Sequence, residues 1–238
     1  MKRKTYKGHL KYWTIKTEEI NVIIDENDKT HNINWFKAYT INIHSLTNQS
    51  LPLQSQINVY TDGSKTNHHT GSGFAIYRRN QLITTGSRRL PLESTVFQAE
   101  ILAIRLAMIR LNEILQTQDQ YIKFFTDSQA SIQALNSHEI KMLAVKDTIP
   151  ALNPVGQKVN RLEINWIKAH VGHPGNEMAD KLAIETINQK ENIHGIFPPY
   201  SHFKTELWSA MYKLWAVEWQ NPSNMPLIYK LPTKTGKE

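Results

Sequence analysis

The stretch that decides the fold is Ile57-Asn-Val-Tyr-Thr-Asp-Gly-Ser64. Apolar and polar residues alternate from Ile57 to Thr61, which predicts a β-strand with one face in a core. The Asp62-Gly63-Ser64 run that follows is typical of a turn, so we expect the strand to end at Asp62. The sequence therefore predicts a carboxylate at the end of a buried strand, where α/β proteins present functional side chains.

Residues 55–190 continue as a dense series of predicted elements and form one predicted domain. The pattern predicts strands over 73–77, 82–86, 121–126 and 162–168, a hairpin turn at 78–80, and helices over 95–115, 128–135, 140–158 and 174–189. We expect Pro150 and Pro154 to break or kink the third helix. The order predicts an α/β fold, with a five-stranded mixed sheet of three antiparallel strands plus two parallel strands, flanked by helices.

The two regions that flank this domain differ from it in amino-acid composition and pattern. Residues 1–54 are polar with a basic start, which predicts a weakly structured leader or linker. Residues 191–238 predict a Trp-rich helix and a tail, since aromatic residues recur at helical spacing at Trp208, Tyr212, Trp215 and Trp219. That stripe is typical either of a helix packed on a domain or of a stacking or partner surface.

Composition excludes several classes of protein. The 238 residues are 40% hydrophobic and 21% charged, as in ordinary globular proteins, and no apolar run is long enough to span a membrane. The absence of cysteine excludes disulfide scaffolds, cysteine-ligated zinc and cysteine nucleophiles, and favours a reducing compartment. No secretory signal pattern follows Met1, so we expect an intracellular protein of nucleus or cytoplasm. The oligomeric state stays open.

The charge balance points to a polyanionic partner. Lys and Arg total 28 against 21 Asp and Glu, which gives a net charge of +7. A mild basic excess of this kind favours nucleic acid, although many basic proteins bind no polyanion.

Four acidic residues occupy unusual places. Asp62 and Asp127 follow predicted strands, Glu100 lies in the first turns of an apolar helix, and Asp180 shares a helix face with Asn176 and Ala183. Each alone could be a surface carboxylate or a cap, but four acids near one buried place would repel one another. Hard divalent cations, Mg²⁺ or Mn²⁺, resolve that repulsion with oxygen ligands alone. Two such ions about 4 Å apart are typical of phosphodiester chemistry.

A histidine lies in the loop Ala169-His-Val-Gly-His-Pro-Gly175. The imidazole of His170, ten residues before Asp180, can relay a proton to water or to a leaving group. The alternative is an ordinary surface histidine. His173 precedes Pro174 at a predicted helix start, so we expect it to pack or to cap.

These residues, in this order, resemble the type I ribonuclease H family. The resemblance rests on Thr61-Asp-Gly-Ser64, Phe97-Gln-Ala-Glu100, Thr126-Asp-Ser128 and His170-Val-Gly-His-Pro-Gly-Asn-Glu-Met-Ala-Asp180. It implies a ribonuclease H-like fold over 55–190 and metal-dependent hydrolysis of the RNA strand of RNA:DNA hybrids, leaving 5′-phosphomonoesters. It also implies two Mg²⁺ ions, replaceable by Mn²⁺. The implied roles are metal binding by Asp62, Glu100, Asp127 and Asp180, catalysis by the same acids and His170, and nucleic-acid contacts by Gly63, Ser64, Ser128 and Asn176.

Within that family the chain is most similar to the ribonuclease H domains of non-LTR retrotransposon (reverse transcriptase) polyproteins. Cellular members usually have Asn and Gln before the helix glutamate, where this chain has Val96 and Phe97. Residues 138–160 also lack the dense basic segment of some relatives. The resemblance therefore implies a retroelement origin, with an upstream reverse transcriptase domain as partner.

Two other functions stay open. One is a catalytically inactive nucleic-acid-binding relic, or an accessory domain of a reverse transcriptase. The other is a related two-metal strand-transfer enzyme such as an integrase, although those proteins lack the His-x-x-x-Pro-Gly-Asn-Glu run found at 170–177.

Overall fold

The computed structural model of the chain describes residues 12–16, 21–25, 37–42, 57–67, 69–116, 121–140, 142–186 and 199–220. The elements in chain order are β1 (Tyr12–Lys16), β2 (Asn21–Asp25), β3 (Thr40–Asn42), β4 (Ile57–Lys65), β5 (Thr70–Arg78), β6 (Gln81–Leu90), α1 (Val96–Ile114), β7 (Tyr121–Thr126), α2 (Gln129–Asn136), α3 (Leu143–Lys158), β8 (Arg161–Trp166), α4 (Pro174–Glu185) and α5 (Tyr200–Gln220).

The chain divides into two units, and the larger one, Glu26–Pro198, contains a mixed sheet. Its six strands follow the order β3-β8-β7-β4-β5-β6. Strands β4, β5 and β6 are antiparallel neighbours, whereas β3, β8, β7 and β4 pair in parallel. The predicted α/β class, with a mixed sheet flanked by helices, is confirmed. A sixth strand, β3, joins the five that we expected.

Strand β3 is held in the sheet by contacts from the residues beside it. The Ala38 amide donates to Asn153 Oδ1 at 3.1 Å, and the Tyr39 hydroxyl donates to the Leu135 carbonyl at 3.1 Å. Lys37 Nζ donates to the carbonyls of Asn136 and Ser137, which end helix α2. The sequence signal for this strand is weak because three residues are too few to show an alternating pattern.

The core lies between the sheet and helices α1 and α3. The apolar face of α1 is fully buried, including Ile101, Ile104, Met108 and Leu111. This explains why the helical spacing of its apolar residues predicts the helix. The β5–β6 hairpin turns at Arg79 and Asn80, whose φ angles are 49° and 65°. Two successive positive φ values match the right-handed twist of the flanking strands, so the predicted hairpin is confirmed.

The predicted end of the first strand at Asp62 is wrong. Strand β4 continues to Lys65, and its pairing with β5 runs on from Asp62↔Gly73 to Lys65↔Thr70. Asp, Gly and Ser favour turns locally, but nine consecutive pairs with β5 override that preference. Glycine at 71 and 73 leaves room for the backbone of α4, because a Cβ atom at either place would overlap it.

Of the break or kink that we expected in the third helix, the break is wrong, since α3 runs through both Pro150 and Pro154. Both prolines lie on the exposed side of the helix, one turn apart. The carbonyls that lose an amide partner can therefore bond to water, while Ile149, Leu152 and Val155 stay buried on the other side. Packing of that apolar face holds the helix together across the two missing hydrogen bonds.

Helix starts and ends agree with several sequence signals. Thr95 caps α1 in a capping box with Gln98, and Ser128 caps α2 by accepting from the Ser131 amide. Helix α4 begins at Pro174 as predicted, and buried His173 occupies its N-cap position. The predicted end of that helix near residue 189 lies outside the described residues.

The smaller unit comprises Met1–Asp25 and Pro199–Glu238. In it β1 and β2 pair in antiparallel, and α5 confirms the predicted Trp-rich helix. Three of its aromatic side chains, Trp208, Tyr212 and Trp215, are exposed, and their neighbouring ring centroids lie 6.1 and 6.0 Å apart. The side chain of Trp219 lies outside the described part of the chain. No helix in the described ranges is both long and apolar enough to cross a bilayer.

Candidate active site

Two of the predicted acids are brought together by strand register. Strands β4 and β7 pair in parallel, with Thr61 opposite Thr126, so Asp62 and Asp127 follow neighbouring positions at the same end of the sheet. The Trp166 indole donates from Nε1 to the Asp127 carbonyl at 2.9 Å and holds the backbone where β7 ends. The predicted meeting of these two carboxylates at one sheet end is therefore observed.

The third acid comes from helix α1. A Cβ atom on Gly63 would lie 2.6 Å from the Glu100 backbone nitrogen, so the helix approaches β4 as closely as a glycine permits. This approach places the Glu100 carboxylate beside Asp62. Carboxylate oxygens of Asp62, Glu100 and Asp127, one from each, all lie within 4.8 Å of one another. We call these three residues the acid cluster.

Burial and mutual repulsion raise the pKa values of the acid cluster. Burial raises the pKa of Asp62 to about 7, and the charges of Asp127 and Asp180 add to the effect. Burial, followed by the charges of Asp62 and Asp127, raises the pKa of Glu100 well above its ordinary value. The pKa of Asp127 is also raised, mainly by burial. The Gly63 amide, which donates to Asp62 Oδ1 at 2.7 Å, opposes the shift at Asp62.

The acid cluster fits a hard divalent cation. Glu100 Oε2 is fully buried and has no hydrogen-bond partner, which is costly for a carboxylate oxygen without a compensating charge. Across the described ranges, no lysine or arginine forms an ion pair with any of the three acids. Three carboxylates supply oxygen donors only, the set that Mg²⁺ and Mn²⁺ prefer.

The fourth acid lies with the loop histidine. Asp180 Oδ2 is 4.0 Å from His170 Nδ1, and these two residues form a second group with Glu177. Asp180 is thus outside the mutually close acid cluster, and its side chain is 23% exposed, so it lies at the edge of the group of four acids that the sequence predicts. Its charge still raises the pKa values of Asp62 and Asp127. Sequence reasoning missed Glu177, although its place one helical turn before Asp180 is the signal that could have found it.

His170 is presented to solvent by the shape of its loop. Its side chain is 72% exposed, and its φ angle is +52°, a left-handed conformation that is uncommon outside glycine. Gly172 follows with a φ of +83°. An imidazole held in this way beside Asp180 is accessible to solvent and to a bound molecule.

The predicted nucleic-acid contacts occupy different environments. Ser64 is half-buried on β4, and Ser128 uses its hydroxyl as the α2 cap. The Gly63 amide donates to Asp62, and Asn176, only 2% exposed, donates from Nδ2 to Asp127 Oδ2 at 3.4 Å. Asn176 is thus placed as a partner of the acid cluster. The contacts of all four residues with nucleic acid stay predictions.

Comparison with curated proteins returns ribonucleases and a viral polyprotein. A ribonuclease H of Desulforamulus reducens is 27% identical over 158 residues, covering 60% of this chain and 94% of that enzyme. A Vibrio cholerae ribonuclease H is 28% identical over 142 residues, covering 55% of this chain and 88% of its own. The Pol polyprotein of caprine arthritis encephalitis virus is 30% identical over 141 residues, covering 58% of this chain and 11% of the polyprotein.

Solved structures with partial similarity include the RNase H1 of Halobacterium salinarum, at 18% identity and a TM-score of 0.44, covering 55% of this chain and 96% of the other. The N-terminal RNase H domain of a Mycobacterium tuberculosis protein has 14% identity and a TM-score of 0.46, covering 56% and 98%. The sequence model of the family described as RNase H matches residues 54–188, more than half of the 238 residues, and this range contains the acid cluster, His170 and Asp180. The chain belongs to the RNase H family.

Proposed function

We propose that the chain is an endoribonuclease that hydrolyses the RNA strand of RNA:DNA hybrids and leaves 5′-phosphate ends. The observation that carries this proposal is the convergence of three carboxylates within 4.8 Å, two of them buried and the third half-buried, with one Glu100 oxygen left unpartnered. Such a site needs a cation, and sites where carboxylate oxygens hold divalent cations are typical of phosphodiester hydrolysis. Relatives named ribonuclease H, 27–28% identical over most of their own length, support the substrate.

The acid cluster would hold the metal, with Asp180 as a further ligand from helix α4. We infer two Mg²⁺ ions, replaceable by Mn²⁺, because a pair of such ions is typical of phosphodiester chemistry at carboxylate sites. When bound, the metal would supply a water of lowered pKa and would neutralise charge on the phosphate. The chain's own residues orient the ligands: the Gly63 amide fixes Asp62 Oδ1, and Asn176 fixes Asp127 Oδ2.

His170 would move protons at the edge of the site. Its imidazole is exposed, and Nδ1 lies 4.0 Å from Asp180 Oδ2, so it can approach a bound substrate from the side of the fourth acid. In this role the imidazole takes a proton from water or gives one to the leaving 3′-oxygen of the RNA strand.

Selection of the hybrid would depend on shape more than on sequence. A hybrid minor groove shows 2′-hydroxyls on one strand and deoxyribose on the other, which distinguishes it from both parent duplexes. The net charge of +7 supports attraction to phosphates, so binding should weaken as salt is raised. Gly63, Ser64, Ser128 and Asn176 are the residues that we infer to contact the nucleic acid.

We also infer a retroelement origin. Similarity to a retroviral Pol polyprotein supports it, as do Val96 and Phe97 before Glu100. An upstream reverse transcriptase domain is then the partner that would deliver hybrid to the domain at 55–190, with the residues before strand β3 as the linker and 191–238 as the Trp-rich extension. Such an enzyme would work inside the cell, in nucleus or cytoplasm, which agrees with a chain free of cysteine.

The test is cleavage of a hybrid labelled on either strand, with Mg²⁺, with Mn²⁺ and with chelator. Asp127→Asn should abolish cleavage, because it removes a charge from the acid cluster. The matched control is Asp147→Asn, whose carboxylate is exposed and pairs with Arg105 at 3.4 Å. Metal-dependent cuts in the RNA strand alone, lost only in Asp127→Asn, are expected.

Two other outcomes would overturn the proposal. Hybrid binding without cleavage under any metal would favour the inactive nucleic-acid-binding relic. Equal cleavage by wild type and Asp127→Asn would show that the acid cluster is not required for the reaction.

A further inference from the structure

Lys65, the last residue of β4, contacts the segment that leads into helix α1. Its Nζ donates to the Ser94 carbonyl at 2.7 Å and to the Leu92 carbonyl at 3.3 Å. Along a strand, alternate residues face the same side, so Lys65 lies on the side of Gly63, which is the side that contacts α1. The lysine is therefore directed at the approach to α1, and it forms no ion pair with Asp62, the member of the acid cluster that lies three residues before it.

A second side chain holds the same carbonyl. Thr70 is the strand partner of Lys65 in the β4–β5 pairing, and its hydroxyl donates to the Ser94 carbonyl at 3.1 Å. Ser94 is fully buried, and its amide donates to the Pro91 carbonyl at 3.0 Å. The hairpin end of the β4–β5 ladder thus fixes the segment 91–94, with one charge-assisted and one neutral hydrogen bond meeting at the Ser94 carbonyl oxygen.

This segment sets where α1 begins. Thr95, directly after Ser94, is the N-cap, and its capping box with Gln98 closes the first turn. Glu100 follows two residues after Gln98, in direct backbone contact with Gly63. The end of β4 therefore positions two acids: Asp62 through its own backbone, and Glu100 through the contact of Gly63 with α1 and through the segment before α1 that Lys65 holds.

We propose that Lys65 is a positioning residue for Glu100, which acts by anchoring residues 92 and 94 and so the first turns of α1. This inference rests on the proposed function. A cationic donor suits the task because hydrogen bonds from an ammonium group to carbonyls are stronger than neutral ones, and an exposed lysine costs little desolvation. The rival role for an exposed lysine near such a site is direct contact with a substrate phosphate, and the two roles predict different kinetics.

The experiment compares wild type with Lys65→Met, Lys65→Arg and Arg110→Met. Arg110 is exposed on α1, and within the described part of the chain its ion pair is with Glu113. Its loss therefore removes one positive charge from the helix that Lys65 would position, without touching segment 91–94. Steady-state cleavage of a hybrid gives kcat and KM, calorimetry gives Mn²⁺ affinity, and hydrogen exchange follows the amides of residues 91–101.

Lys65→Met should lower kcat about tenfold, with KM for hybrid changed by less than about twofold. Mn²⁺ affinity should fall by about tenfold, and exchange at 91–101 should become about fivefold faster. Lys65→Arg should recover most of kcat, because a guanidinium can donate to both carbonyls. Arg110→Met should match wild type in all three measurements.

Three results would overturn the inference. The first is a raised KM and a reduced salt dependence with unchanged kcat, which would assign Lys65 to a phosphate. The second is Lys65→Met behaving as Arg110→Met does. The third is Lys65→Arg failing like Lys65→Met. If wild type itself does not cleave, the proposed function fails, while Mn²⁺ affinity and hydrogen exchange still decide whether Lys65 positions Glu100.

Discussion

Gly63 and Glu100 belong to different elements, yet their backbones are in contact: a Cβ atom on Gly63 would lie 2.6 Å from the Glu100 nitrogen and 3.0 Å from Ala99. The glycine is required for close approach, because its φ angle is not among the positive values and it lies within strand β4. A backbone contact of this kind couples the strand that carries Asp62 to the helix that carries Glu100.

Gly63→Ala is therefore expected to displace α1 and to abolish cleavage. The overlap is with backbone rather than with a flexible side chain, so the cost to the free energy of unfolding should be about 2–4 kcal/mol. The control is Gly172→Ala, which meets no atom within 4 Å but has a φ of +83°, and should cost only about 1 kcal/mol through strain. Urea denaturation measures both. Equal costs for the two variants would contradict the steric argument.

The metal-free protein should lose stability as pH rises from about 4 to about 7. Burial raises the pKa of Asp62 from 3.8 to about 7 and raises those of Glu100 and Asp127, so the folded state holds more protons than the unfolded chain in this window. Asp62→Asn should raise the melting temperature in chelator at pH 8 by roughly 2–6 °C and leave it nearly unchanged at pH 4. Scanning calorimetry at both pH values provides the measurement, with Asp147→Asn as control.

Addition of Mg²⁺ or Mn²⁺ at pH 8 should restore stability to wild type and not to Asp62→Asn, because a cation compensates the charges that the fold brings together. A difference between variant and wild type that is the same at pH 4 and pH 8 would contradict the assignment to a buried carboxylate.

His170→Ala should lower kcat by roughly 10²-fold while leaving the melting temperature unchanged. The side chain is 72% exposed and its nearest charged partner is Asp180 at 4.0 Å, so its removal leaves the core intact. His138→Ala replaces another exposed histidine and should cleave like wild type. Activity of His170→Ala within about twofold of wild type would show that His170 is an ordinary surface histidine with no role in cleavage.

Asn176→Ala should shift the acid limb of the pH–rate profile towards higher pH. The Asn176 amide donates to Asp127 and thereby lowers the pKa of that carboxyl, so losing it makes Asp127 harder to ionise. The buried site should also lose about 1–3 kcal/mol of stability. An unchanged profile with reduced affinity for hybrid would instead favour a direct contact between Asn176 and nucleic acid.

The sequence predicted the acid cluster because its three members stand out locally. Asp62 and Asp127 follow buried strands, and Glu100 interrupts an apolar helix face. Parallel pairing of β4 with β7 then brings the first two together without any further information. Asp180 was grouped with them on helix periodicity and on the resemblance. Periodicity shows the face on which a residue lies but not its distance from the other acids, so its place beside His170 and Glu177 was not foreseeable.

Other differences arise where long-range pairing overrides local preference. Asp62-Gly63-Ser64 favours a turn by itself, but the β5 ladder extends it as strand. Pro150 and Pro154 each remove a hydrogen bond from α3, but the buried face of that helix supplies more stability than the two bonds. Lys65 gave no signal at all, since its carbonyl partners lie 27 and 29 residues along the chain.

Strand β3 has a practical consequence for anyone who trims the protein. A fragment cut to residues 54–188 would lose Thr40–Asn42, together with Ala38, whose carbonyl lies against Gly156. The outer side of β8 would then present a row of unsatisfied amides and carbonyls, which is a template for pairing with another molecule. Such a fragment should precipitate or form oligomers at concentrations where a fragment beginning before residue 37 stays monodisperse. The residue at which a fragment begins therefore determines its solubility.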